Sequence, residues 1–103
     1  MPYVVQMLLP VRDNEGRPFG QELFEGTRRE LTERFGGVTA HMRAPAKGLW
    51  KSEEGSVDHD DMVLFEVMAD PLDRGWWRAY REQLRTRFEQ DELVVRGIAI
   101  EVL

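Results

Sequence analysis

The apolar residues recur with a period of two in some stretches and with spacings of three and four in others, which predicts strands and helices in turn. The strand-like stretches are residues 3–9, 38–43, 62–69 and 93–103. The helical stretches are residues 19–35 and 74–90, and Gly36 and Gly37 end the first of them. Asp73 is suited to cap the second helix. The predicted order of elements is therefore β-α-β-β-α-β.

Individual residues predict further features of the two helices and of the last strand. Pro18 suits the first turn of the first helix, and Glu30 with Arg34 forms an i,i+4 pair on its surface. Gly97 marks a bulge in the last strand. One side of the second helix is apolar and is predicted to face the core; it consists of Trp77, Tyr80, Leu84 and Phe88.

The order of elements predicts an α+β fold of the ferredoxin-like type, with residues 1–103 forming a single domain. Right-handed crossovers place the first and third strands at the centre of a four-stranded antiparallel sheet, with both helices on one face. Between the second and third strands, the segment 44–48 (APAKG) predicts a bend and the polar segment 51–61 (KSEEGSVDHDD) predicts a hairpin turn.

The sheet face without helices, here called the open face, is predicted by strand parity. Its apolar residues are Val4, Leu8, Met62, Leu64, Met68, Ile98 and Ile100. They surround a polar centre made of Gln6, His41, Arg43, Glu66 and Arg96. Monomers rarely expose an apolar patch of this size, so we expect a second copy to cover it and the protein to be a homodimer through its sheet.

Two interpretations of the polar centre are open. Its charges can form a network of ion pairs that only satisfies itself within a dimer. Alternatively, His41 and Glu66 can move protons in a pocket where Arg43 and Arg96 hold an anion.

The amino-acid composition limits which binding partners and which kinds of catalytic or metal site we expect. Fourteen Lys and Arg against nineteen Asp and Glu give a net charge of −5, which disfavours nucleic acid and anionic membranes. The absence of cysteine excludes disulfides, thiolate catalysis and cysteine-based zinc sites. His59 lies in a run of aspartates, but sequential residues at a turn seldom converge on one ion, so we expect no metal and no cofactor. With no apolar run long enough to span a membrane and no leader, we expect a cytoplasmic protein.

Three segments carry a resemblance that extends over nearly the whole chain: residues 30–39 (ELTERFGGVT), 44–50 (APAKGLW) and 76–81 (WWRAYR). With them the chain resembles a family of small bacterial ferredoxin-like proteins of unknown function. More generally it is similar in architecture to the dimeric α/β-barrel superfamily, which includes small monooxygenases, isomerases and binding domains. This resemblance implies a fold and a dimer, and no particular activity.

A shorter resemblance is to tautomerases that use an N-terminal proline as general base. Pro2 follows Met1, the first strand leads to Arg12, and residues 46–50 (AKGLW) are similar to the segment that supplies an aromatic wall in that family. The resemblance implies Pro2 as the base, Arg12 as the carboxylate-binding residue and Trp50 as part of the wall. Thr39 stands where that family has a second arginine, and Met1 precedes the proline amine in this sequence.

These observations favour a homodimer that binds a small molecule in a cavity at the open face. A cofactor-free acid–base enzyme acting on a small carboxylate, through Pro2 and Arg12 or through His41 and Glu66, is the first alternative. A protein-interaction or regulatory module is the second. The candidate ligand-binding residues are Gln6, Arg12, Arg43, Trp50 and Arg96.

Overall fold

The structure, a computed structural model, describes residues 1–43 and 62–103, with only the backbone of Met42 and Arg43. The predicted bend and hairpin turn, together with Trp50 and His59, lie outside the described residues. The elements are β1 (Tyr3–Pro10), α1 (Gln21–Phe35), β2 (Thr39–Arg43), β3 (Met62–Ala69), α2 (Arg74–Arg87) and β4 (Val95–Ala99).

The four strands of the described residues form one sheet in the order β2-β3-β1-β4, and each neighbouring pair is antiparallel. Val5 pairs with Val67 on one side and with Gly97 on the other. The predicted ferredoxin-like α+β fold is therefore confirmed, with the first and third strands at the centre. Neither α1 nor α2 is long and apolar enough to cross a membrane.

One face of the sheet packs against both helices. Val5, Met7 and Leu9 of β1 point into the core and are at most 1% exposed. They share that core with Leu31 of α1 and Leu84 of α2, so both helices cover the same face. The apolar side predicted for the second helix is confirmed, because Trp77, Tyr80, Leu84 and Phe88 are all buried.

The first helix begins later than the sequence predicts. Pro18 forms an isolated antiparallel bridge with Arg12, and the Phe19 amide donates to the Val11 carbonyl at 2.9 Å. This pairing holds residues 18 and 19 extended, so Pro18 lies outside the helix. Gly20 is the N-cap and α1 starts at Gln21, while Gly36 ends it in the left-handed conformation, as predicted.

The second helix and the last strand are shorter than predicted. Glu89 has φ 52°, so α2 ends at Arg87 and the chain turns before Gln90. The strand β4 ends at Ala99, although the Ile100 amide still donates to the Pro2 carbonyl at 3.1 Å. Gly97 takes part in the regular register opposite Val5, so the predicted bulge at this position is wrong.

The predicted surface pair of Glu30 with Arg34 is also wrong. Both carboxylate oxygens of Glu30 accept from the Arg87 guanidinium, at 2.8 and 3.0 Å, and Oε1 accepts from the Tyr80 hydroxyl at 2.8 Å. Arg34 lies over the Trp76 ring, 4.2 Å from its centroid. The ion pair thus joins α1 to α2. Arg87 binds both carboxylate oxygens of Glu30, and such a bidentate contact is stronger than the flexible pair that Arg34 on the same helix would form.

We expect Glu30→Gln to remove part of the pH dependence of folding. The Arg87 hydrogen bonds lower the pKa of Glu30 below its ordinary value of 4.5. The carboxylate therefore stabilises the fold above that value, and the stabilisation is lost as the pH falls through the lower pKa of the folded state. At pH 7 the variant should lose about 1 kcal/mol of unfolding free energy, and the loss should shrink below pH 4.

Urea unfolding at a series of pH values between 7 and 3 measures this difference. Glu25→Gln is the matched control, since Glu25 is an exposed carboxylate of the same helix whose contact with Arg28 is 3.9 Å long. We expect the control to change the free energy by less than about 0.5 kcal/mol at every pH. A loss in Glu30→Gln that stays constant across the series would contradict the ion pair.

Candidate functional site

The strand register arranges the open face in rows of side chains. The central row takes one residue from each strand, in the order Thr39, Glu66, Gln6, Arg96. One flanking row consists of Val4, Met68 and Ile98, and the other of His41, Leu64 and Leu8. The register therefore confirms the face assignment predicted for these residues, and the central row is polar between two mainly apolar rows.

A chain of hydrogen bonds runs along the central row. Arg96 Nε donates to Gln6 Oε1 at 2.7 Å, and Gln6 Nε2 donates to Glu66 Oε1 at 2.9 Å. Because β1 lies between β3 and β4, the Gln6 amide links a cation and a carboxylate on strands that are not adjacent. Both ends of this amide are engaged, which fixes its orientation.

This row still presents groups that could bind a ligand. The hydrogen bonds among residues 1–43 and 62–103 use Nε of Arg96 and Oε1 of Glu66, and they leave the two Nη groups and Oε2 for other partners. Glu66 and Gln6 are half-buried and Arg96 is exposed. The row thus offers a donor at one end and an acceptor at the other.

The other predicted members of the polar centre lie outside this hydrogen-bonded row. His41 stands opposite Leu64, one row from Glu66, so the two are diagonal neighbours on adjacent strands, about 7 to 8 Å apart. Arg43 stands opposite Met62, at the far end of β2. The structure therefore joins Glu66 to Gln6 and Arg96 directly, and it places His41 beside this group.

Pro2 and Arg12 are not brought together within one chain. They flank the two ends of β1, and at about 3.3 Å per residue the strand keeps them about 30 Å apart. The Pro2 carbonyl accepts from the Ile100 amide at 3.1 Å, and Arg12 Nη1 donates to the Gly16 carbonyl at 3.3 Å. A site that uses both residues would need two chains. Trp50 lies outside the described residues.

A second surface was not singled out by the sequence analysis. A cavity of about 310 Å³ lies between α2 and β4, and we call it the arginine groove. Arg74, Arg78 and Arg81 line it from the helix, together with Leu72, Val95 and Gly97. The three arginines follow the helical spacing i, i+4, i+7, which is a signal in the sequence. The apolar spacing that predicts this helix marks only the side that faces the core, and the arginines lie outside that pattern.

No clusters of metal-ligating side chains are found in the part of the chain that the structure describes: within it, no three His, Asp or Glu residues lie together as a metal site requires. The central row itself supplies a guanidinium, an amide and a carboxylate.

Comparison with family models of known proteins gives no match, and no curated protein matches the chain. Among solved structures, the chain is similar to a phage SAM lyase in complex with S-methyl-5'-thioadenosine, with a TM-score of 0.56 and 12% sequence identity. The similarity covers 96% of this chain and 90% of that chain. At this level of identity the likeness shows the fold alone.

Proposed function

We propose that the protein is a cytoplasmic homodimer whose open faces stack on each other and hold a small carboxylate ligand between the two sheets. The observation that carries this proposal is the hydrogen-bonded row of Arg96, Gln6 and Glu66, which lies between two mainly apolar rows. A single sheet has only one wall, so a closed site at this row needs a second surface opposite it.

Charge and shape favour a second copy as that surface. Arg96 and Glu66 lie in one row and their charges cancel, so stacking two copies brings no net charge together at the centre. In the flanking row, Met68 is 53% exposed and Ile98 is 44% exposed. A second copy would bury these apolar side chains. Stacked sheets lie about 10 Å apart, and the side chains of the two facing surfaces interdigitate between them.

The free groups of the row define the ligand chemistry. The two Nη groups of Arg96 suit a carboxylate, and Oε2 of Glu66 suits a hydroxyl or amino group on the same molecule. Leu8 and Ile98 supply apolar contacts on either side. The ligand class that this arrangement fits is a small hydroxy- or amino-carboxylate with a short apolar body.

A cofactor-free acid–base enzyme of the tautomerase kind is the second candidate. The observation that favours it is the Glu66 carboxylate, because Gln6 orients one oxygen and the other can accept a proton. In this scheme Arg96 holds the substrate carboxylate and Glu66 takes the proton of the enol hydroxyl. The proton returns to the β-carbon of the enol through His41, one row away, and this completes the keto acid.

The test uses phenylpyruvate as the probe, because its enol tautomer is a 2-hydroxy-carboxylate and both its binding and its enol–keto conversion can be measured. We expect phenylpyruvate to shift the side-chain amide resonance of Gln6, and Arg96→Gln to weaken binding at least tenfold. Arg28→Gln, a matched change on the exposed side of α1, should leave binding unchanged. If the probe does not shift the Gln6 amide in the wild-type protein, the ligand proposal is wrong.

Glu66→Gln separates binding from catalysis. The substitution keeps the shape of the side chain but removes the proton acceptor. Binding without a change in the conversion rate supports a binding protein, whereas loss of the rate with binding retained supports the enzyme. Pro2→Ala should leave either activity unchanged in the Glu66 scheme, and a large loss in that variant would support the proline route instead.

A further inference from the structure

The outer edge of β4 presents backbone groups that pair with no strand of the described residues. The Leu8 amide donates to the Val94 carbonyl, and the Ile100 amide donates to the Pro2 carbonyl, both at 3.1 Å. In an antiparallel pair such hydrogen-bonded positions alternate, so the even-numbered residues of β4 face β1. Val95 and Gly97 consequently direct their N–H and C=O groups outward.

The arginine groove runs along this same edge. Val95 and Gly97 form its strand side, while Arg74, Arg78 and Arg81 stand on its helix side. The helix rises about 1.5 Å per residue, so the three arginines span about 10 Å, the length of three residues of an extended strand. Backbone hydrogen-bonding groups and a row of positive charge therefore lie side by side over the same length.

The charges of these arginines are available for a partner. Among residues 1–43 and 62–103, Arg74 and Arg78 form no ion pair, and Arg81 reaches only Glu82, at 4.0 Å. Other arginines of the described residues do pair with carboxylates, at 2.7 to 3.9 Å; they are Arg17, Arg28, Arg34, Arg85 and Arg87. In a chain with a net charge of −5, the arginine groove is thus a local concentration of unpaired positive charge.

We propose that the arginine groove docks an extended acidic segment of another protein, which adds to the sheet as a strand beside β4. Its backbone would pair with Val95 and Gly97, and carboxylates at alternate positions would meet the arginines of α2. Same-face side chains of a strand are about 7 Å apart, so two or three acidic residues cover the 10 Å stripe. A second copy of β4 fits this edge poorly, because it would bring two stripes of arginine together.

The groove can be tested with a synthetic capped peptide, Val-Glu-Val-Glu-Val-Glu-Thr, carrying a fluorescent label. We expect binding by fluorescence anisotropy, and a loss of at least tenfold in affinity for the double variant Arg78→Gln with Arg81→Gln. The matched control is Arg28→Gln with Arg29→Gln, two exposed arginines of α1, for which we expect a change of less than twofold. No binding, or an equal loss in the control, would overturn the proposal.

Two further measurements separate an added strand from a simple ionic contact. Hydrogen exchange should slow at the Val95 and Gly97 amides when the peptide binds, while the Arg96 and Ile98 amides, which already face β1, should stay unchanged. The same peptide with N-methyl groups on the glutamates keeps its charge and loses its backbone donors, so its affinity should fall at least tenfold. Unchanged exchange at Val95 and Gly97, or full affinity of the methylated peptide, would overturn strand addition.

Discussion

The substitution Leu84→Ala is expected to lower the free energy of unfolding by about 2 to 5 kcal/mol. Leu84 is 0% exposed and lies in the core shared by the sheet and α2. Its replacement removes buried methyl groups and leaves a cavity in the core that also contains Phe88 and Met7. Because such a core is closely packed, its side chains can fill the cavity only in part. Since a domain of this size is stable by only about 5 to 15 kcal/mol, the loss is a large share of the total.

Urea unfolding followed by tryptophan fluorescence measures this loss. Leu103→Ala removes the same groups from a fully exposed position at the end of the chain, and we expect it to change the free energy by less than about 0.5 kcal/mol. If the two variants behave alike, the side of α2 that faces the core has been assigned wrongly.

The double substitution Met68→Glu with Ile98→Glu is expected to raise the dissociation constant of the proposed dimer at least a hundredfold. Both residues belong to the row that includes Val4 and both are exposed in the single chain, so the fold itself should tolerate the change. In a dimer stacked through the open face, four carboxylates would be buried against an apolar surface. A hundredfold change is about 2.7 kcal/mol, well within the cost of burying unpaired charge.

A control variant with the same added charge distinguishes an effect of the open face from an effect of net charge. Thr32→Glu with Gln83→Glu adds the same two charges on exposed positions of α1 and α2, away from the open face. Sedimentation velocity of both double variants over a range of concentrations gives the dissociation constants. Equal weakening by the two variants would mean that net charge, and not the open face, determines association.

The fold could be predicted because its signals are local and repeated. Alternation in β1 and β3 separated core residues such as Val5 and Phe65 from open-face residues such as Gln6 and Glu66, and the observed register agrees. The Asp73 cap was predicted in the same way, and its carboxylate accepts from the Trp76 amide at 3.0 Å. Such patterns depend on neighbours within a few residues, which a sequence shows directly.

What escaped prediction depends on contacts between elements. The partner of Glu30 is Arg87, fifty-seven positions away, and periodicity along one helix carries no information about a second helix packed beside it. Pro18 has the residue type of a helix start, but its bridge to Arg12 keeps the backbone extended. Tertiary contacts override local propensity at both places.

The candidate sites, like the fold, were predictable only where local patterns decide them. Parity placed Gln6, Glu66 and Arg96 on one face, but only the register shows that they share one row and that His41 belongs to the next. The arginine groove was missed because it combines the polar side of α2 with the outer edge of β4, which pairs with no other strand among the described residues. Its recognition needs the order of strands in the sheet, and not only their number.

The closed site proposed at the polar row depends on the homodimer. Multi-angle light scattering on the eluting protein at about 10 μM measures the mass directly. We expect the mass of a homodimer, about 24 kDa, which is twice the 12.0 kDa of one chain. A mass of 12.0 kDa at that concentration would contradict the homodimer, and with it the ligand cavity between two open faces.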